Sequence, residues 1–352
     1  MPMPRFPVRT PVLLTLLLCG AVTLLSVETG PVQAASRPMV WPAPPAAARI
    51  RFVRSISNPG NLGNKPHLLR RFFNVITGKK DKHFIRPTGV AARDGIIYVA
   101  DMGGQALWIL DTVHDRSIEV HDAGTNPLLA PAAVAVRADG AVYLADSLAK
   151  QVYLIDDNGK FLGIAAADGL QRPAGVAYDE RYGRLYVADS KEHAIVVFAA
   201  DGKKILSWGR RGSADGEFNF PTHISIDRQG RILVTDALNF RVQAFDRDGK
   251  FLWKFGRHGD GSGDLSSPKG VATDSAGHVY LVDALFDTVQ IFNTNGQLLL
   301  AFGERGTGTG QFWLPGGIYI DTGDHIYVCD SYNHRIQIFN YLGGDEPPQP
   351  QD

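Results

Sequence analysis

Two cysteines in 352 residues leave this chain almost no covalent means of holding itself together. Cys19 falls in an apolar N-terminal run, and Cys329 stands alone in everything that follows. One thiol cannot close an internal disulfide, so the redox compartment bears little on the fold. A small buried hydrophobe on a strand is the reading for Cys329. Charge of one sign is missing too, since Lys+Arg and Asp+Glu each number 36. No bulk field draws the chain toward nucleic acid or an anionic membrane. No apolar run is long enough for a helix bundle; short apolar stretches alternate with turns almost throughout. CxxC, HExxH and a Ser-His-Asp spacing are absent, and no cofactor motif appears.

The N-terminus differs from the rest. Arg5 and Arg9 precede an apolar stretch over 12–27, and Val32 and Ala34 then take the −3 and −1 positions of a cleavage site. That is the layout of a secretory signal over residues 1–34, which predicts an exported, periplasmic or extracellular protein. The competing reading is an uncleaved membrane anchor, although the run falls short of the roughly 20 residues of a span. Leu18 before Cys19 is too large for a lipoprotein signal. Residues 35–48, with "WPAPPAAA", look like a stiff proline-rich spacer, and 343–352 like a disordered tail.

From residue 87 the chain repeats itself. "YVAD", "YLAD", "YVAD", "LVTD", "YLVD" and "YVCD" end at Asp101, Asp146, Asp189, Asp236, Asp283 and Asp330, at intervals of 43 to 47. A proline stands 14 to 16 residues before each: Pro87, Pro131, Pro173, Pro221, Pro268 and Pro315. Each unit holds four short segments rich in β-branched and aromatic residues. Dipeptides such as Asn158-Gly159 and Asp248-Gly249 mark tight hairpins between them. Four-stranded units at this period predict an all-β fold, a six-bladed β-propeller over 87–342. The sixth unit lacks its fourth strand after "RIQIF" at 335–339, and "RIRFVRSI" at 49–56 has the missing pattern. The N-terminal strand is therefore expected to complete blade six and close the ring.

The glycine-dense stretch "GERGTGTGQFWLP" at 303–315 raises the question of phosphate binding. Its counterparts at 209–221 and 256–268 hold the same place in their units, and no lysine-bearing helix follows any of them. Glycine serves there to turn the chain from an outer strand to the next inner one. Phe218, Leu265 and Phe312 then fill the seams.

"PTHISIDRQGRILVTDALNFRVQAFDRDGKFLWKFG" and "DSYNHRIQIF" resemble the NHL repeat. Its marks are a proline opening the unit, an Asp ending the second strand, and Asn-x-Arg-[Val/Ile]-Gln after it. The last motif is complete only at Asn239/Arg241 and Asn333/Arg335. The resemblance implies a propeller and leaves function open, since such propellers include enzymes, sensors and RNA readers. In the amidating lyases of this family a zinc-binding histidine follows the opening proline. Here those positions are Thr88, Ala132, Ala174, Thr222, Lys269 and Gly316, none a zinc ligand. His223, one place later, is expected near the channel mouth. The six aspartates are read as turn caps rather than as a metal ring.

No catalytic or metal residue is assigned. Strand parity puts the connections from strand four to one and from two to three on one face. Leu238, Phe240, Leu285, Phe286, Trp313 and Tyr332 fall at its loop tips on blades four to six. With His223 they form the expected contact site for a protein or peptide, in a non-catalytic scaffold. The alternative is a metal-dependent enzyme of the amidating-lyase or lactonase type. Residues 57–86 form a basic amphipathic insertion with seven Lys/Arg. Through 66–86 it is expected either to touch an anionic surface or to plug one channel mouth. The balanced charge argues against nucleic-acid binding.

Overall fold

The computed structural model describes residues 38–60, 62 and 82–343. The expected signal, residues 61 and 63–81 of the insertion and the tail beyond 343 lie outside them. Among the described residues no helix is long and apolar enough to cross a membrane.

Residues 87–341 fold into six antiparallel sheets arranged as blades. Blade four shows the pattern, with strands Pro221–Ile226, Ile232–Asp236, Arg241–Phe245 and Phe251–Phe255. Its second and third strands are buried throughout, which is why "ILVTD" and "RVQAF" carry apolar residues at consecutive positions. The fourth, at the outer edge, alternates between exposed and half-buried residues before Phe255, the signature of a sheet wetted on one face. In the hairpin at Asp248-Gly249 only the glycine is left-handed, at φ +87°, and the register shifts by one residue beside it. The turn thus pairs a right-handed bend with a bulge rather than the doubly left-handed turn the dipeptide favours.

Blade six contains strands Ile318–Ile320, His325–Asp330 and Arg335–Tyr341. Strand Ile50–Ile56 completes it, pairing antiparallel from Ile50↔Tyr341 to Ile56↔Ile336. The ring closes as the strand inventory predicts. A further strand, Val40–Trp41, folds back on Ile50 and Arg51. Part of the stretch read as a spacer is therefore built into the sheet. Trp41 packs 5.8 Å from Phe302 and 5.7 Å from Phe339 by ring centroids. The pairing spans two residues, too short for any periodicity to announce.

Six apolar clusters fill the six seams. Phe218 joins blades three and four, Leu265 four and five, and Phe312 five and six, each without solvent exposure. Cys329 lies in the cluster between blades six and one, where burial raises its thiol pKa. Leu62 and Phe84, at either end of the insertion, are buried in that cluster too, and Phe84 meets Trp108 edge to face.

A second set of contacts runs around the ring. The fourth residue after each repeat aspartate is left-handed: Gln105, Lys150, His193, Phe240, Asp287 and His334, with φ between 51° and 58°. Each side chain reaches the connection leading into the following blade. Gln105 Nε2 donates to the Leu129 carbonyl, and Lys150 Nζ to Gln171 Oε1. His193 Nδ1 accepts from Phe220 N–H, and Asp287 Oδ1 from Leu314 N–H. Phe240 packs against His258 with ring centroids 4.3 Å apart and planes tilted by 50°. His334 Nδ1 lies 2.7 Å from the Ile85 carbonyl and completes the circuit. Non-glycine residues avoid this conformation; its recurrence in unlike residues shows that the turn geometry imposes it.

Candidate functional site

The six repeat aspartates are almost wholly buried. Asp101 accepts N–H bonds from Ile85 and Arg86, before the opening proline, and from Gly104 in its own turn. Asp146, Asp189 and Asp283 each accept two bonds from the incoming connection and two from their own turns. The carboxylates cap turns, as read from the sequence, and also anchor the adjacent connection. Among the described residues no three His, Cys, Asp or Glu side chains gather as a metal-binding group.

Blades four and six use side chains instead. Asp330 accepts from Trp313 N–H, Asn333 Nδ2, Arg335 Nε and Gln337 Nε2. Arg335 then donates to the carbonyls of Thr307, Gly308 and Gln311. Arg241 does the same for Ser213, Ala214 and Glu217. The glycine-rich connections at 209–221 and 303–315 turn carbonyls inward to an arginine rather than N–H groups to a phosphate. This is the physical content of the Asn-x-Arg-x-Gln motif, and it explains why the motif accompanies such a loop in these two blades.

The expected contact residues divide. Leu238 (53% exposed), Leu285 (61%), Trp313 (41%) and Tyr332 (44%) stand out at the loop tips, and the last two rings lie 5.9 Å apart. Phe240 and Phe286 are only half-buried. Phe240 turns toward the core between blades four and five because its left-handed backbone aims it at His258. Ile85, Leu129 and Leu148 are also exposed on this face, so the apolar rim extends to blades one and two. Leu129 and Leu148 were legible as apolar loop residues beside Pro131 and Asp146.

Inside the rim lies the channel mouth, a cavity of about 520 Å³. Beneath it the inner strands enclose a narrower space of about 210 Å³. His223 lines both and is half-buried, with Nδ1 3.2 Å from Thr222 Oγ1. Burial, with the nearby Lys269 charge, pushes its pKa down to about 3, so the ring is neutral at ordinary pH. Arg86, Arg172 and Lys269 also line the mouth. The first two escape a search for motifs, because each merely precedes an opening proline, 86 positions apart.

A family model of the NHL repeat matches residues 170–198 and 312–339, in blades three and six. Among curated proteins nothing matches. A structural genomics protein of unknown function from Bacteroides thetaiotaomicron aligns with a TM-score of 0.58 and 17% identity, over 73% of this chain and 70% of that one. Virginiamycin B lyase from Staphylococcus aureus gives 0.56 at 13% identity, over 83% and 100%. An auxiliary nutrient binding protein from Bacteroides thetaiotaomicron gives 0.57 at 14%, over 74% and 70%. At such identities the likeness is one of fold.

Proposed function

Because the chain belongs to the NHL-repeat six-bladed β-propellers, we propose that it is an exported, non-catalytic binding platform whose loop face takes up a protein or peptide. The observation that carries this reading is the exposure of Leu238, Leu285, Trp313 and Tyr332 at neighbouring loop tips on one face. Monomeric surfaces rarely gather large apolar side chains in this way unless something covers them. Aromatic and aliphatic anchors held on a rigid frame lose little entropy on binding. Here the frame is the aspartate-anchored turns, so the tips are presented in one arrangement. Export rests on the charged, apolar and small-residue sequence of 1–34.

Cross-linking of the full chain in its own cells, repeated with Leu238→Ser and Leu285→Ser together, tests the reading. Loss of the wild-type adducts with unchanged melting is expected; adducts identical in both would refute it. A lyase or lactonase is the competing reading, and metal analysis of the purified chain with assay against peptidyl and lactone substrates addresses it.

A further inference from the structure

We propose that the channel mouth is a binding site for a small organic anion, carrying carboxylate or phosphate groups, held by Arg86, Arg172 and Lys269. The site shares Tyr332 with the apolar rim but takes its charge from other residues, and it stands whether or not a protein docks there. Its lining residues include these three cations and not one carboxylate. Elsewhere in the fold arginines meet acids: Arg241 with Asp236, Arg335 with Asp330, Arg257 with Asp264, Arg231 with Asp227. Among the described residues none of the three mouth cations has a side-chain hydrogen bond or an ion pair.

Their placement is regular. Arg86 enters blade one, Arg172 blade three, and Lys269 stands in the first strand of blade five. Six blades space themselves about 60° apart around the axis, so alternate blades supply charge from three sides. The backbones that carry the cations are fixed. Arg86 N–H donates to Asp101 at 2.7 Å, Arg172 N–H to Asp189 at 3.0 Å, and the Lys269 carbonyl accepts from Thr235 Oγ1 at 2.7 Å. Such fixed charges recognise an anion with little reorganisation.

Lys269 is half-buried, and burial lowers its pKa against the opposing pull of Asp283. The Asp283 oxygens already accept four backbone N–H bonds. A partly desolvated ammonium without a paired carboxylate is costly, and an anion in the cavity would offset that cost. Hydroxyls on the wall contribute less: Ser147 and Ser331 donate their protons to the carbonyls of Pro173 and Pro87. Selection therefore falls on charge. The volume of about 520 Å³ lies in the range of small-molecule sites.

Isothermal titration of the full chain with citrate, inorganic phosphate and glucose tests this. Citrate or phosphate should bind, more weakly as sodium chloride rises, and glucose should not. Arg172→Gln and Lys269→Met should each weaken binding by about tenfold or more, the effect of removing a charged hydrogen-bond partner. Arg172 is exposed and its side chain bonds to nothing described, so that variant keeps the fold. Leu238→Ser should leave anion affinity unchanged, which separates this site from the rim. No binding of either anion at millimolar concentration, or undiminished binding by folded Arg172→Gln and Lys269→Met, overturns the proposal.

Discussion

His334 and Ile85 lie 249 positions apart and are joined by one hydrogen bond, imidazole Nδ1 to carbonyl oxygen at 2.7 Å. A carbonyl only accepts, so the bond fixes the proton on Nδ1. It ties the last blade to the first at the loop face, while strand Ile50–Ile56 ties the outer edge. Replacing His334 with alanine should cost about 1 kcal/mol, the typical net value of a hydrogen bond. His334→Gly loses the same bond but relieves left-handed strain of roughly 1 kcal/mol. Urea midpoints should therefore place the glycine variant near wild type and the alanine variant below both.

Arg335→Ala should be much harsher. It strips a buried carboxylate of its counter-charge and takes away the donor to the Thr307 carbonyl, while the Gly308 and Gln311 carbonyls keep Gln311 N–H and Gln337 Nε2. Breaking one side of a buried pair costs roughly 3–5 kcal/mol. Arg335→Lys restores charge but not the fork, and equilibrium unfolding should place it between the two.

Two glycines separate crowding from backbone strain. A Cβ on Gly175 would sit 2.7 Å from the Thr222 carbonyl oxygen and 3.1 Å from His223 Cα. Gly175→Ala should lose about 1–3 kcal/mol by overpacking. Gly277 has open space around it and φ +88°. Gly277→Ala should lose about 1 kcal/mol through conformation alone, and thermal melts of the pair read the difference.

Acid should act through His223. Its folded pKa of about 3 lies below the ordinary 6.5, so unfolding favours proton uptake. Its share of stability is complete above pH 6.5 and lost as pH falls toward 3. His223→Gln should show a smaller drop in melting temperature between pH 7 and pH 4 than wild type.

Deleting residues 38–56 should leave strand Arg335–Tyr341 as an open edge and yield aggregates or an unfolded chain. A synthetic peptide of that sequence added during refolding should restore monomer, as gel filtration would report.

The fold was legible because its signals recur: an aspartate that must cap a turn and a proline that must open a strand return in every unit. Closure was legible by counting strands. The Val40–Trp41 pairing was not, since two residues carry no pattern. Leu238 and Leu285 were readable as exposed tips, whereas the left-handed turn that swings Phe240 inward depends on backbone geometry that no residue type at that position announces. Arg86, Arg172 and Lys269 converge only when the ring closes, and three cations scattered over three repeats look like ordinary surface charge.

The clasp joins a strand made early, Ile50–Ile56, to the last-made one, Arg335–Tyr341. A ribosome must deliver all six blades before residues 50–56 find their mate. Until then the nascent chain carries an unsatisfied edge at each end, each a template for pairing with a neighbouring copy. Yield in the cell should thus depend on chaperone supply during elongation more than on the stability of the finished ring.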